Sequence, residues 1–356
     1  MRRAVLALIA SLATLGLTAG PSAATAPSGS AAVYTFDISV ETPCVAGHGP
    51  GGKPVTVPVR SAAGHELGAH AVTADGAGHW KACFDGLIVE PGMTVTARHA
   101  AARRRVTVPG LTLRTDRPTD VLSGRGPAGK SLNLTLTRCV FSDPCRVKHY
   151  VVTPDSHGHY RDDVSAANYP WDLEGGDKAV IEFQTAAGDL FHADSVTELM
   201  RVQYPNRAIL QIYPPGSSVT VSLLSSTGSV RAEETRTAAT SGAYTFRFVR
   251  GGHAVTIQPG NVIRANFASD ARMVWPHVGL VGNTATNHVS GTCLKNVPLE
   301  VTVNPPSSVN QEGMTGSDGR FDLDFTSDGG IHSGNTLLLV CRADTGDRLE
   351  FRAAVP

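Results

Sequence analysis

The sequence predicts an all-β protein, built as four tandem antiparallel sandwiches behind a cleaved leader. Three observations carry that prediction. Short segments alternate apolar and polar residues with period two, the pattern of strands buried on one face. No stretch sustains the 3.6-residue apolar period of an amphipathic helix, so almost no helix is expected. Three sequence markers recur four times in the same order, and self-similarity of this kind signals a repeat architecture.

The leader comes first. Met1-Arg2-Arg3 is a charged start, an apolar stretch runs from Ala4 to Gly20, and Ala24-Thr25-Ala26 has the small-x-small form of a cleavage site. Residues 1–26 therefore read as a secretory signal peptide. The apolar run is shorter than the ~20 residues a membrane span needs. The C-terminal Arg352–Pro356 shows no apolar tail or sorting motif. The mature chain is expected to be secreted and extracellular, with no membrane span left after cleavage.

The repeats follow. The first marker is Gly-x-aromatic: Gly78-His79-Trp80, Gly158-His159-Tyr160, Gly242-Ala243-Tyr244 and Gly319-Arg320-Phe321. The glycine supplies a tight hairpin turn, helped by Asp75-Gly76 and Asp318-Gly319. The aromatic that recurs in every unit is expected in the core. The second marker is a glycine turn ahead of a strand: Pro91-Gly92-Met93, Gly175-Gly176-Asp177, Pro259-Gly260-Asn261 and Ser333-Gly334-Asn335. The third is an alternating strand, at Val55–Val59, Leu132–Leu136, Val219–Leu223 and Leu299–Val303. Successive aromatics stand 80, 84 and 77 residues apart, and units of that size can bury a core of their own.

These spacings place modules at 31–108, 109–196, 197–273 and 274–356. Junctions are short and lack Ser/Gly linkers. Val106–Leu111 reads as one module's last strand running into the next, and Trp275-Pro276 holds the equivalent place later. Sandwiches with strands of ~8 residues are ~27 Å long, so four stacked end to end would approach ~110 Å. Composition agrees with short strands and many turns. There are 37 Gly and 22 Pro, and the 17% charged residues are sparse beside the ~25% of ordinary globular chains. With 31 basic and 31 acidic residues, no charged tail suited to nucleic acid is present.

Module one shows the fullest pattern. Its Val55-Thr56-Val57 strand, Asp75-Gly76-Ala77-Gly78 hairpin, Trp80 and Pro91-Gly92-Met93-Thr94-Val95 turn resemble bacterial secreted immunoglobulin-like repeats. These include modules similar to the carboxypeptidase-regulatory-like sandwich. The later modules keep parts of the pattern. The resemblance implies four tandem antiparallel Ig-like β-sandwich modules, in a non-catalytic surface or secreted spacer, adhesive or accessory protein.

The six cysteines fit an oxidising compartment. Cys44 and Cys83 lie in module one, Cys139 and Cys145 in module two, Cys293 and Cys341 in module four. Pairing within modules accounts for all of them. The two long loops would contribute ~3–4 kcal/mol each on the chain-entropy view, and the short Cys139–Cys145 loop less.

Several motifs look catalytic until their context is read. Gly124–Ser131 matches the phosphate-binding G-x-x-x-x-G-K-S loop, which must open a helix; the alternating Leu132–Leu136 follows instead. Gly47–Gly52 matches G-x-G-x-x-G and fails the same test. In His65-Glu66-Leu67-Gly68-Ala69-His70 the second histidine is one residue too late for a zinc-protease helix, about 100° around it. His149, His157 and His159 near Cys139 and Cys145 are metal-binding residue types, but an oxidising compartment opposes the thiols. Asp318, Asp322 and Asp324 are calcium-type carboxylates. Asp322 and Asp324 alternate with Phe321 and Leu323, which sets them on a solvent face. No G-x-S-x-G nucleophile elbow occurs. No catalytic residue, cofactor or metal site is assigned.

Two stretches are candidate contacts. Tyr169 and Trp171, in Asn168-Tyr169-Pro170-Trp171-Asp172, offer either a stacking surface for a carbohydrate or protein, or a loop tucked over a sandwich end. Arg103, Arg104 and Arg105 lie near a hairpin. They could meet an anionic envelope polymer, or guard an edge strand against pairing. The function expected is a secreted non-catalytic repeat protein acting as a cell-envelope or extracellular binding or spacer module, adhesion-like in kind. The sequence names no partner; an envelope polysaccharide or a surface protein would suit it. A carbohydrate-binding accessory protein is the first alternative, and would need exposed aromatics from a chain with 6% aromatic residues. A secreted hydrolase is the second, and would need carboxylates converging in a cleft.

Overall fold

The structure is a computed structural model, and it describes residues 34–141, 144–166, 170–211, 218–237, 243–267, 271–304 and 308–356. The expected leader and Tyr169 lie outside them. Among the described residues the regular secondary structure is almost all strand, joined by turns and irregular segments, with two three-residue 3-10 turns at Arg117–Thr119 and Thr326–Asp328. No helix of the described residues is long and apolar enough to cross a membrane.

Strands are numbered in chain order. One seven-stranded sheet runs β11 (Arg146–Val152), β10 (Leu132–Arg138), β13 (Lys178–Gln184), β14 (Leu190–Val196), β1 (Thr35–Ser39), β2 (Cys44–His48) and β5 (His79–Cys83). Against it pack a four-stranded sheet, β4 (Glu66–Thr73), β3 (Pro54–Arg60), β6 (Thr94–His99) and β7 (Ala102–Thr107), and a three-stranded one, β12 (His159–Asp163), β9 (Val121–Arg125) and β8 (Thr112–Asp116).

The second half repeats the plan. Its seven-stranded sheet runs β19 (Ala243–Arg247), β16 (Arg207–Gln211), β15 (Leu199–Gln203), β30 (Arg348–Ala354), β29 (Thr336–Arg342), β26 (Pro298–Asn304) and β27 (Val309–Met314). The smaller sheets are β18 (Val230–Thr237), β17 (Ser218–Leu224), β22 (Val262–Ala265) and β23 (Arg272–Val274), then β24 (Gly279–Asn283), β25 (His288–Thr292) and β28 (Arg320–Asp324). A two-stranded ribbon joins β20 (Val249–Arg250) to β21 (His253–Ala254).

The pairing inside each half corrects the end-to-end expectation. Neighbours sit side by side, because β1 pairs in parallel with β14, and β15 with β30. A strand edge carries a row of unpaired N–H and C=O groups, and here one sandwich's edge satisfies the other's. Ile38 lies opposite Phe191, and both are buried on the same side of the sheet. One hydrophobic cluster therefore runs from Tyr34 to Ala193, and a second from Met200 to Val355.

The three markers fall where the alternation puts them. Trp80, Tyr160, Tyr244 and Phe321 are all buried. The alternating strands are β3, β10, β17 and β26, each interior to its sheet. Gly92, Gly176, Gly260 and Gly334 have φ of 85°, 89°, 81° and 85°, a left-handed region that glycine enters freely. The residue after each closes the turn. Asp177, Asn261 and Asn335 accept the N–H of Glu174, Gln258 and His332 at 3.0, 3.0 and 2.7 Å. In the first turn Met93 Sδ takes this place, 3.4 Å from Glu90 N.

The cysteines pair within modules as expected. Cys44–Cys83 links facing positions of β2 and β5, Cys139–Cys145 spans the turn between β10 and β11, and Cys293–Cys341 ties the end of β25 to β29.

Candidate functional site

Trp171 is not a stacking platform. It is 3% exposed and contributes to the first core. A buried indole usually finds a partner for its one N–H, and Trp171 Nε1 donates to Asp177 Oδ2 at 2.9 Å. The guanidinium carbons of Arg138 and Arg146 lie 5.1 and 5.3 Å from the ring centroid, in cation–π contact. Asp177 in turn accepts from Arg138 Nε and Nη2 at 2.8 and 2.7 Å. Trp171 is tucked in, which was the other reading of this residue.

The same cluster is one end of a joint between the halves. Arg138 also pairs with Glu174, and Arg342 from β29 reaches Glu174 Oε2 at 2.9 Å. Burial pushes the Glu174 carboxyl up from its ordinary value, opposed by Arg342 and Arg138. Beside it, Arg117 of the first half donates to Asp347 Oδ1 of the second at 3.1 Å, with side chains 2% and 1% exposed. Arg117 Nη1 also meets the Glu198 and Thr345 carbonyls. Asp347 further accepts the Met200 N–H at 2.8 Å and the Thr345 hydroxyl at 3.0 Å. Gly175 N bonds Thr345 O at 2.7 Å. A Cβ on Gly346 would stand 2.5 Å from the Gly175 backbone, so the contact requires glycine.

Sequence reading missed this joint. Its signal is the dipeptide Gly188-Asp189, repeated as Gly346-Asp347, each in the hairpin before the strand that pairs across modules. Asp189 accepts the Phe36 N–H at 3.1 Å, as Asp347 accepts that of Met200.

The arginine run divides. Consecutive strand residues point to opposite faces, so Arg104 turns inward while Arg103 and Arg105 stay exposed. Arg104 Nη2 reaches Asp189 Oδ2 at 2.5 Å, and its Nη1 bonds the Tyr34 carbonyl. The expectation that Arg103, Arg104 and Arg105 act together as a contact run or edge guard is thus corrected for Arg104. β7 is the edge of its sheet.

One constellation has catalytic residue types. Ser39 Oγ bonds His192 Nε2, and His192 Nδ1 lies 3.3 Å from Asp37 Oδ1. A serine nucleophile also needs N–H donors for the developing oxyanion, typically including that of the next residue. Here the Val40 N–H is bonded to the His192 carbonyl at 2.8 Å. The other motifs lie in strands and in the segments that connect them. Gly124–Ser131 joins β9 to β10, Glu66 opens β4, and Asp155 Oδ1 accepts the backbone N–H groups of His157 and His159. Asp322 and Asp324 lie 2.9 and 4.0 Å from the two ring nitrogens of His288.

No protein-family model matches the chain, and no curated protein matches it. Solved structures give weak likenesses. A tetra-tandem repeat in the extending region of a large adhesion protein has 16% identity and a TM-score of 0.18, over 91% of this chain and 99% of its own. The BSP domain of a biofilm associated protein has 6% identity and a TM-score of 0.20, over 91% and 96%. The FN1–FN3 domains of chicken CNTN1 have 8% identity and a TM-score of 0.19, over 90% and 97%. At these scores nothing further is built on them.

Proposed function

We propose that the protein is a secreted, non-catalytic repeat protein that binds or spaces at the cell envelope. The observation that carries this is the duplicated architecture. Each of two seven-stranded sheets faces a four-stranded and a three-stranded sheet, and buried ion pairs join one half to the other. The charges of the joint meet specific partners from both halves, an arrangement that suits a spacer and that a flexible linker lacks. Three disulfides suit an extracellular location. The contact surface is drawn from Arg103 and Arg105, not from Trp171.

The carbohydrate-accessory alternative loses its main aromatic with the burial of Trp171. The hydrolase alternative has the Ser39, His192 and Asp37 arrangement in its favour, but the N–H best placed to stabilise an oxyanion is bonded elsewhere. Co-sedimentation tests the proposal. Mature protein is spun with insoluble cell-wall polymer from the producing organism. Retention supports envelope binding, and protein left wholly in the supernatant overturns it.

A further inference from the structure

We propose that the outer face of the β4–β3–β6–β7 sheet is a binding site for an anionic polysaccharide, held by Arg60, Arg98, Arg103 and Arg105. The inference rests on the envelope-binding reading and specifies the chemistry of the ligand.

Register places the four guanidinium groups together. Arg98 stands directly opposite Arg103, Arg105 opposite Thr96, and Arg60 opposite Thr94. Cross-strand partners share a face, as do residues two apart on a strand. Arg60, Arg98, Arg103 and Arg105, with Pro58 and Thr96, line one shallow concavity of about 310 Å³. In a chain with equal numbers of acidic and basic residues, this is a marked local excess of positive charge.

Little on the face neutralises it. Glu66 pairs with Arg60 at 3.3 Å, with both side chains about half exposed. Such a pair is worth little and exchanges readily with water. Arg105 Nη2 is oriented by Thr94 Oγ1 at 3.2 Å. Like charges directly opposite on neighbouring strands destabilise a sheet, so Arg98 facing Arg103 is a local cost that an anion between them would remove. Guanidinium forks grip sulfate, phosphate and carboxylate groups bidentately. Arg103 and Arg105 repeat along the strand by about 7 Å, which presents charge to an extended polymer and not to a single ion. The concavity lining includes a threonine hydroxyl and no aromatic. That composition suits sugar hydroxyls and lacks the stacking platform of a single-strand nucleic-acid site.

The second half supplies a control. Arg264 faces Arg272 on β22 and β23, but Ser222, opposite Arg264, bonds Glu233 at 2.7 Å. A carboxylate therefore sits in that row, whereas the row of Arg98 and Arg103 continues through Thr56 and Ala71 and holds none.

The test measures binding of the mature protein to dextran sulfate, polygalacturonate, neutral dextran and a DNA duplex at two salt concentrations. It compares wild type with Arg98→Ala/Arg103→Ala and with Arg264→Ala/Arg272→Ala. Thermal melting checks that each variant folds, and removing the Arg98–Arg103 repulsion should not lower Tm. Binding to at least one charged polymer, weakened by salt, is expected, with none to neutral dextran. The first variant should lose about tenfold in affinity and the second less than about twofold. Whichever charged polymer binds tells sulfate from carboxylate recognition. Equal loss in both variants, no binding to either charged polymer, or equally tight binding of a DNA duplex would overturn the proposal. Co-sedimentation with wall polymer separates the two readings. If wild type and Arg98→Ala/Arg103→Ala sediment equally, this site fails while envelope binding stands. If wild type does not sediment, envelope binding itself fails.

Discussion

Replacing Arg117 by Met should destabilise the second half of the molecule, although Arg117 belongs to the first. The substitution keeps much of the side-chain volume and removes the charge. It leaves Asp347, 1% exposed at its side chain, without its cation, while the Met200 N–H and Thr345 hydroxyl remain as partners. Breaking a buried pair from one side costs about 3–5 kcal/mol, or roughly 6–20 °C in Tm for a cooperative unit of roughly 150–250 residues. Trp275 is buried in the second core, while Trp80 and Trp171 are buried in the first. Urea unfolding followed by fluorescence, with and without Trp275→Phe, therefore assigns the loss to a half. Asp347→Asn and the double variant complete a cycle. Burial already pushes Asp347 up, and loss of Arg117 raises it further. A carboxyl whose folded pKa lies above its unfolded one stabilises below the unfolded value and loses that contribution as pH rises through the folded value. Arg117→Met should accordingly be least harmful under acidic conditions. A cost under about 1 kcal/mol, the level of an exposed pair, together with zero coupling to Asp347, would refute the joint as described.

Other consequences can be measured alongside. Trp171→Ala should cost about 3–5 kcal/mol by calorimetry and leave wall-polymer retention of the folded protein unchanged; lost retention in a folded variant would restore it as a contact. Gly334→Ala should cost about 1–2 kcal/mol in urea unfolding, since φ is 85° and nothing lies within 4 Å of an added Cβ. Gly346→Ala should cost more, because its Cβ would meet the Gly175 backbone at 2.5 Å; equal costs would contradict that close approach. The pKa values of Asp75 and Asp155 are lowered, chiefly by the backbone N–H groups of His79 and His159. Their contribution is present above the unfolded value of about 3.9 and lost as pH falls through the lower folded one. Tm should thus fall on acidification less steeply in Asp75→Asn/Asp155→Asn than in wild type, as scanning calorimetry would show.

Much of the fold is legible in the sequence because the repeat is written in residues with narrow physical roles. A glycine at φ above 80° and an aromatic two places past a hairpin leave few alternatives, and Trp80, Tyr160, Tyr244 and Phe321 are buried accordingly. The side-by-side pairing is not legible in the same way. β1 and β14 look like any other alternating strands, and which edges meet depends on N–H and C=O groups that every sequence possesses. Trp171 misleads for a related reason. Tyr and Trp beside Pro look alike whether exposed or tucked in, and Asp177, which settles the matter, is recognisable only as a turn residue. The arginine run is half legible. Period two already separates Arg104 from Arg103 and Arg105, but Arg60 and Arg98 join them only through register.

The two buried aspartates show how the joint relates to the repeat. Asp189 and Asp347 hold equivalent places, each accepting the N–H of the strand that its neighbour pairs with in parallel. Each also accepts from a threonine hydroxyl in its own hairpin and from one arginine. The arginine is where the halves differ. Arg104 reaches Asp189 from β7 of the same half, whereas Arg117 reaches Asp347 from the other half. The residue that completes the pairing within the first half is thus matched, in the second, by one that fastens the halves together. In the docked arrangement Arg117 gives the buried Asp347 carboxylate its cation, and a buried carboxylate without one is costly. The Arg342–Glu174 pair and the Gly175–Thr345 bond also cross the joint, and Arg117 adds to them by linking docking to the packing of the second unit's own hairpin.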